Sequence, residues 1–418
     1  MSENKRKLYT KNFTFLVLGQ IISLFGSAIQ RFALSLYILE MTGSASIFAS
    51  ILAFSIVPVI LLAPFAGVMA DRFNKRNIMV ILDFISSIIL AIYAGILMTG
   101  NDHYLIVAIM MVLLSGISTL YQPSVTASIP LLVEEENLMQ ANGIVQQVSS
   151  ISNFAGPIIA GVLYGFVGIK GIILINLVSF FLSAVMELFI TIPYTKPEKV
   201  ASPISGFMHE LKESYEYLKN ENRVIFRMCI TSGLYNLFLV PLLTVGAPYI
   251  IKVHLNQSSE LYGLAEGAIA FGMIIGAIVV GRMPKRFHIK RIHRVLYFAS
   301  VCMGMMAVAL AFSADTSNGH LFAFSCFTFF AMGIMVTIGM ANVVSATFIQ
   351  QSTPNNMLGK ISAFGAAFAT ICVPLGQMIF GALLDVMMNH VWLMVLVSGI
   401  ATLFVTFLVR YNVSQIQE

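Results

Sequence analysis

Four ionisable side chains stand inside long apolar runs of this sequence: Arg31, Asp83, Glu187 and Glu266. An ionised side chain at the centre of a bilayer costs about 2.5–3.5 kcal/mol on insertion scales, so a residue of this kind is a functional candidate by default. A carboxylate in such surroundings can bind and release a proton. All four residues are therefore candidates for proton coupling, but Asp83 and Glu187 lie near the ends of their runs, where a structural role is equally open.

Arg31 and Glu266 lie at similar depth in opposite halves of the chain, each in the outer part of its apolar run. We expect these two side chains to interact, directly or through water. We also expect Glu266 to be the main proton-carrying carboxylate. Burial favours its neutral form, so it can hold a proton, and a neighbouring guanidinium favours its charged form, so it can also release one.

The elements that must position these residues are membrane helices. The chain has 418 residues, of which 58% are hydrophobic and 10% charged, whereas a soluble protein carries about 25% charged residues. The four cysteines are scattered through apolar runs without metal-ligand spacing, so we predict neither a metal site nor a cofactor. The composition predicts an all-α polytopic membrane protein, and its net charge of +5 reflects loop composition and no nucleic-acid partner.

A spanning helix needs about 20 predominantly apolar residues. Twelve stretches satisfy this criterion: Phe13–Leu39, Ile47–Met69, Ile78–Thr99, Tyr104–Ser128, Asn142–Phe166, Ile169–Ile192, Val224–Ile251, Leu261–Gly281, Val295–Ser313, Leu321–Ile349, Ile361–Leu384 and Val391–Val409. With the N-terminus inside, all but three of the 24 Lys and Arg residues fall on the cytoplasmic side; the exceptions are Arg31, Lys170 and Lys252. This bias predicts a plasma-membrane protein with both termini in the cytoplasm.

The longest polar interval divides the chain into residues 1–192, a linker at 193–223 and residues 224–418. Apolar residues recur at helical spacing within the linker and predict an amphipathic helix on the cytoplasmic face: Phe207, Leu211, Tyr215 and Leu218. The two halves read as a degenerate repeat, because Gly156 and Gly161 are matched by Gly376 and Gly381. We therefore predict two pseudo-symmetric bundles of six helices.

A loop between the second and third spans combines a small residue, an acid and a basic cluster: Gly67-Val68-Met69-Ala70-Asp71-Arg72-Phe73-Asn74-Lys75-Arg76. Gly67 permits close helix approach, Asp71 suits the N-terminus of a helix, and Arg72, Lys75 and Arg76 hold the loop in the cytoplasm. This stretch resembles the G-x-x-x-D-R-x-G-R-[KR] signature of the major facilitator superfamily. Asn74 replaces the usual Gly, and Asn also tolerates a left-handed turn.

Polar side chains form stripes on four of the predicted spans. A face that carries such a stripe must meet protein or water rather than lipid. For any single residue, a helix–helix hydrogen bond is the alternative interpretation. The predicted cavity-lining residues on the first, fourth, seventh and tenth spans are Gln20, Ser27, Ser115, Thr119, Gln122, Ser232, Tyr235, Asn236, Asn342 and Ser345.

The fifth span carries Ser152-Asn153-Phe154-Ala155-Gly156-Pro157-Ile158-Ile159-Ala160-Gly161, which resembles the antiporter signature G-x-x-x-G-P-x-x-G-G of drug exporters. Gly156 and Gly161 allow close helix contact, and Pro157 leaves a carbonyl without its helical partner and bends the helix. A packed, kinked helix with no role in coupling is the alternative interpretation. Together with the loop signature, this motif favours export over import.

Further stretches are similar to the macrolide-efflux branch of drug–proton antiporters, among them Met41-Thr42-Gly43-Ser44-Ala45, Pro64-Phe65-Ala66-Gly67 and Gln122-Pro123-Ser124. The resemblance implies the major facilitator fold, a cavity lined by the first, fourth, seventh and tenth spans, and proton-driven export by alternating access. It also implies that the loop 67–76 clamps near Lys360 and Ser362 in the outward-open state. The chain departs from many relatives at Ser27, where they carry an acid, and at Leu114, where they carry Arg.

The sequence thus predicts a monomeric exporter of small amphipathic, hydrophobic compounds such as drugs or macrolides, embedded in the lipid bilayer. A lysolipid flippase and a siderophore or metabolite exporter of the same fold stay open as alternatives. A non-transporting receptor is a more distant alternative that would not need polar stripes on four helices. No GxSxG, HExxH or Walker-type stretch occurs in the chain, so an enzyme is not expected.

Overall fold

The computed structural model describes residues 10–193, 203–283, 286–312 and 317–415. The first half contains α1 (Lys11–Thr42), α2 (Ala45–Arg72), α3 (Lys75–Thr99), α4 (Tyr104–Leu132), α5 (138–167) and α6 (169–188). The amphipathic linker helix is α7 (Pro203–Asn220). The second half contains α8 (Arg223–His254), α9 (Ser259–Arg282), α10 (Ile292–Ala311), α11 (Ser317–Ser352), α12 (Asn355–Val386) and α13 (Val391–Ser414).

The predicted helical membrane fold is confirmed. Among the described residues, 11 helices are long and apolar enough to cross a membrane, and one of these contains both α5 and α6. These two helices meet at Gly168. Its φ of 62° and ψ of −173° lie outside the helical region, so the helix is broken at this residue. A side chain would be strained at this φ, so glycine permits the reversal between the two spans.

The observed helices mostly extend beyond the predicted apolar stretches, because polar residues cap them in the loops. Asn74, Asn222 and Ser258 each accept a hydrogen bond from a backbone N–H in the first turn of α3, α8 and α9. The sixth span is the opposite case, since α6 ends at Leu188 and not at the predicted Ile192. Ile192 precedes Pro193, which disfavours helical backbone for the residue before it.

Two compact units emerge from the contacts within the chain, Met1–Ile38 with Ser55–Gly206 and Leu39–Phe54 with Phe207–Glu418. The end of α1 and the beginning of α2 thus belong to the second unit by their contacts. The predicted division at 1–192, 193–223 and 224–418 stays a prediction.

In the first unit, α3 packs against α4 and α6, and an apolar cluster around Phe13, Met79 and Ile129 fills one end. In the second unit, α11 packs against α9 and α10, and α8 packs against α12 and α13. The contact between α9 and α11 is a backbone approach at Gly272 and Gly276, where an added Cβ would collide with carbonyl oxygens of α11. Small residues give membrane helices this close contact, which replaces the hydrophobic drive available in water.

Helix α8 departs from regular geometry twice, through π-helical turns at Leu242–Gly246 and Ile250–His254. Pro241 immediately precedes the first of these turns and Pro248 lies between the two, and each proline lacks the N–H that a regular helix would use. The wider turns let the helix continue to His254 as one membrane-length element.

Candidate functional site

The intramembrane carboxylates of the first unit lie together in its interior. Glu187 is 0% exposed and Asp83 is 2% exposed. The hydroxyl of Tyr121 donates to Oε1 of Glu187 at 2.5 Å, and Nε2 of Gln20 donates to the hydroxyl oxygen of Tyr121 at 2.8 Å. Ser183 adjoins the Asp83 carboxylate. We call these five residues, contributed by α1, α3, α4 and α6, the buried carboxylate cluster.

Sequence reasoning found Asp83, Glu187 and Gln20 but did not connect them, and it missed Tyr121. The sequence predicts Gln20 in the cavity wall, whereas the structure buries it completely against Tyr121. Three atoms of the cluster lack a hydrogen-bond partner among the described residues: Oε1 of Gln20, Oδ2 of Asp83 and Oε2 of Glu187. Buried polar atoms normally have partners, so these three oxygens mark a site with unfilled binding capacity.

The other two intramembrane charges have local partners. Arg31 is exposed within the first unit, and its Nη2 donates to Oδ1 of Asn153 on α5 at 3.1 Å. Glu266 on α9 is half-buried, and its Oε1 accepts a hydrogen bond from the hydroxyl of Tyr262 one turn earlier at 3.1 Å. The interaction of Arg31 with Glu266 stays a prediction.

The loop between α2 and α3 differs from its expected geometry in two respects. Asn74 has φ −64° and ψ 113°, so it does not occupy a left-handed turn; it is the N-cap of α3 and accepts from the N–H of Asn77 at 3.4 Å. An added Cβ on Gly67 would meet no described atom within 4 Å, so Gly67 is not at a close helix contact in this structure. The side chain of Asp71 lies outside the part of the chain that the structure describes.

The basic residues of this loop end α2 and begin α3: Arg72 is the last residue of α2, and Lys75 and Arg76 are the first two of α3. Lys360 lies in the part of α12 that is predicted to contact the loop, but its side chain binds Glu213 instead. Its Nζ lies 2.7 Å from Oε2 of Glu213 on the linker helix α7. Ser362 is exposed. The clamp between the loop and α12 stays a prediction.

The glycines of the antiporter-like motif lie at helix contacts. A Cβ added to Gly156 would lie 2.6 Å from Cβ of Ala28 on α1, so α5 and α1 touch at this point. The repeat partner Gly376 faces Leu237 and Pro241 of α8, where an added Cβ would come within 2.7 Å of Cγ of Pro241. Gly161 is buried, and Pro157 stands inside α5. Gly156 and Gly376 therefore both lie at a close helix contact, with α1 and with α8, whereas Gly381 lies against Ala45 and Ala49 of α2.

The polar stripes divide into bonded and accessible side chains. Ser115 donates to the carbonyl of Ser55, Thr119 to that of Ser115, and Asn236 to that of Ala369, while Tyr235 shares a hydrogen bond with Thr406. These four stripe residues serve as contacts within or between helices. The exposed members are Gln122, Ser232 and Asn342, and the half-buried ones are Ser27 and Ser345. A cavity lining by these five residues stays a prediction.

The structure also reveals a carboxylate that sequence reasoning missed. Asp385, near the end of α12, accepts hydrogen bonds from the hydroxyl of Ser44 and the backbone N–H of Ala45, both at 2.7 Å, and from the N–H of Ser46 at 3.0 Å. It therefore caps the N-terminus of α2, where an anion is favoured by the helix dipole. The run Gly43-Ser44 before an apolar helix signalled the helix start, but nothing in the sequence pointed to an acid over 300 residues away.

The sequence is similar to those of known membrane transporters along most of its length. The sequence model of the Major Facilitator Superfamily matches residues 16–377. The chain is 26% identical over 382 residues to macrolide efflux protein A of Streptococcus pyogenes, covering 90% of each chain. It is 24% identical over 337 residues to the staphyloferrin A transporter of Staphylococcus aureus, covering 79% of each.

Solved structures share the fold at lower identity. A bacterial homologue of the iron transporter ferroportin in its inward-facing state superposes with a TM-score of 0.73 at 19% identity, over 96% of this chain and 98% of that one. The nucleoside transporter NupG gives a TM-score of 0.73 at 12% identity, over 98% of this chain and 100% of that one.

Proposed function

Because the chain belongs to the Major Facilitator Superfamily, we propose that it is a secondary active exporter of small amphipathic, hydrophobic compounds of the drug or macrolide type, driven by proton antiport. Membership of the family makes it a multi-pass membrane transporter, and the prediction that it is not an enzyme is confirmed by the family and the relatives. The observation that carries the proposal is the similarity to macrolide efflux protein A over 90% of both chains.

The proposed cycle is alternating access, in which the two bundles rock around a central substrate site. A proton would enter from the outer solution as the substrate leaves the cell. The buried or half-buried carboxylates Asp83, Glu187 and Glu266 support proton coupling, since each can exchange a proton where water is scarce. The proposal includes a plasma-membrane location, cytoplasmic termini and a monomeric state.

The test uses purified protein in liposomes with an imposed pH gradient. We expect gradient-driven uptake of a labelled macrolide or a cationic dye that collapses when a protonophore is added. No uptake above the control without a gradient, for either compound, would contradict the proposed substrate class or the proton as driving ion.

Glu266→Gln tests the predicted main carboxylate. We expect it to abolish gradient-driven uptake while the protein is still made in normal amounts, because Gln keeps the acceptor for Tyr262 but cannot carry a proton. Glu216→Gln is the matched control, since the Glu216 side chain on α7 is 59% exposed and forms only a surface ion pair with Lys212. Unchanged coupling in Glu266→Gln would remove Glu266 from the mechanism.

A siderophore-type substrate is the second candidate. The observation that favours it is the similarity of this chain to the staphyloferrin A transporter, at 24% identity. Secretion of a siderophore that depends on this protein, in cells showing no drug protection, would support this candidate over the first.

A further inference from the structure

The buried carboxylate cluster contains more hydrogen-bond acceptors than donors. The hydroxyl proton of Tyr121 goes to Glu187, the amide of Gln20 donates to Tyr121, and the hydroxyl of Ser183 donates to the carbonyl of Gly19 at 3.3 Å. Among the described residues, one oxygen each of Gln20, Asp83 and Glu187 has no donor, although the three residues are at most 2% exposed. An ionised carboxylate can only accept, whereas a protonated one donates. Protons on the carboxyl groups would supply the missing donors.

The two carboxylates also act on each other. Asp83 on α3 adjoins Ser183, which lies one turn before Glu187 on α6, and the same two helices pack further along through Phe84 against Phe181 and through Ser87, which donates to the carbonyl of Leu177 at 3.2 Å. Neither carboxylate forms an ion pair within the part of the chain that the structure describes. Two neighbouring carboxylates in a dry site cannot both ionise at low cost, so at least one of them is expected to bind a proton.

We propose that Asp83 and Glu187 form a proton-binding site of the first unit, loaded and emptied during transport, with Tyr121 and Gln20 as the residues that position it. The coupling role rests on the proposed proton-driven export. In one cycle a proton from the outer solution forms an O–H bond with a carboxylate oxygen, and the same O–H bond breaks when the proton leaves to the inner solution.

The second unit indicates that the fold itself does not require a carboxylate at this place. Ser183 on α6 donates to the carbonyl of Gly19 on α1, and Ser398 on α13 donates in the same way to the carbonyl of Phe238 on α8 at 3.1 Å. Four residues after each serine stand Glu187 and Thr402, 0% and 1% exposed. The equivalent buried position thus accepts a neutral side chain in one half and carries an acid in the other.

A polar face of α1 links the cluster to accessible surface. Along this face Gln20 is 0% exposed and Ser23 5% exposed, Ser27 is half-buried and Arg31 is exposed. Ser23 adjoins the hydroxyl of Tyr121. Hydroxyl groups at one-turn spacing, with water between them, form a path that a proton can follow from the exposed end of the stripe to Glu187.

The charged groups around the cluster are few and remote. On α3 the nearest cation is Arg76, two turns from Asp83 or about 10 Å along the axis. On α1 it is Lys11 at the start of the helix, on α6 it is Lys170 at the opposite end from Glu187, and α4 has none. Because no cation lies beside the pair among the described residues, neutralisation falls to protons.

A proton fits the site better than a metal ion. In the described part of the chain, no third His, Cys, Asp or Glu joins Asp83 and Glu187 to make a metal-binding group. The surrounding residues, such as Leu16, Met79, Leu82 and Val125, are apolar and buried.

Infrared difference spectroscopy tests the site directly. Purified protein in lipid would be recorded at acid and alkaline pH, and the carbonyl stretch of protonated carboxyl groups would be compared between variants. We expect wild type and the exposed control Glu216→Gln to share a pH-dependent band that is lost in Glu187→Gln and in Asp83→Asn. Glu187→Thr, which copies the second unit, provides a further neutral variant if Gln disturbs folding.

Transport in proteoliposomes then tests the coupling role. We expect Glu187→Gln and Asp83→Asn to lose gradient-driven uptake while keeping exchange of labelled for unlabelled substrate without a gradient, because exchange needs no net proton movement. Tyr121→Phe should retain the band but shift the pH at which it disappears and the pH profile of uptake. A residue with a purely structural role would shift neither.

Two results would overturn the inference. One is a pH-dependent band that is identical in wild type, Glu187→Gln and Asp83→Asn, which would show that this pair binds no exchangeable proton. The other is loss of the band with gradient-driven uptake equal to that of Glu216→Gln, which would make the proton structural. If wild type itself shows no gradient-driven uptake, the proposed function and the coupling role both fail, and the band still decides whether the pair binds protons.

Discussion

The contact between α5 and α1 at Gly156 allows a quantitative prediction. A Cβ at residue 156 would lie 2.6 Å from Cβ of Ala28, about 0.8 Å short of the 3.4 Å at which ordinary contact begins. Both atoms are attached directly to helix backbones, so the collision cannot be relieved by rotating a side chain. We expect Gly156→Ala to force the two helices apart and to cost about 1–3 kcal/mol, as overpacking does in protein cores.

The structure also predicts the compensating change. Without Cβ on Ala28, the nearest atoms to the new methyl would be the carbonyl carbon and Cα of residue 28, at 3.6 and 3.7 Å, which is ordinary contact. The double variant Ala28→Gly with Gly156→Ala therefore exchanges the methyl group between the helices and restores the packing. A double-mutant cycle should show a favourable coupling of about 0.5–3 kcal/mol.

The assay is the temperature at which half of the purified protein leaves the monodisperse peak on size-exclusion chromatography, with gradient-driven uptake as a second readout. Gly143→Ala is the control on the same helix, because a Cβ there would meet no described atom within 4 Å. The reasoning fails if Gly156→Ala is as stable as Gly143→Ala, or if adding Ala28→Gly gives no recovery.

Three further predictions concern other contacts. Gly276→Ala should destabilise the second unit, since its Cβ would collide with the carbonyl of Val336, whereas Gly281→Ala, with open space around it, should be neutral in the same thermal assay. Asp385→Ala removes three hydrogen bonds to the start of α2 and should lower the free energy of unfolding by about 1–3 kcal/mol; a thermal midpoint equal to wild type would contradict this. Asp71→Asn should favour the inward-open state, measured as altered spin-label distances across the cytoplasmic face, and unchanged distances would count against the loop signature as a gate.

The loop 67–76 shows that a sequence motif can leave the local backbone geometry open. The family signature has Gly where this chain has Asn74, and the sequence allows a left-handed turn there because Asn tolerates one. The side chain of Asn instead caps α3, and the backbone is extended. Asn can satisfy a free N–H of the first helical turn, which a Gly side chain cannot, so Asn74 gives α3 a cap that Gly would not provide.

The intramembrane acids show the reverse situation. Their types and depths were readable from the apolar runs, and Glu266 was ranked first because of its depth. The structure brings Asp83 and Glu187 together with Tyr121 and Gln20, whereas Glu266 is paired with a tyrosine of its own helix. Depth along one helix can be counted in the sequence, but the rotation of four helices against each other cannot.

The sequence by itself determined the membrane fold, the number of spans and the family. These properties depend on local composition: each span must hide its backbone from lipid within about 20 residues, and the signature residues are contiguous. Tertiary structure alone decided which polar residues meet. Tyr121 bonds Glu187 across 66 positions and Gln20 across 101, and Asp385 reaches Ser44 across 341. Such contacts depend on helix rotation and on close approach at glycines such as Gly156, and neither property leaves a local pattern in the chain.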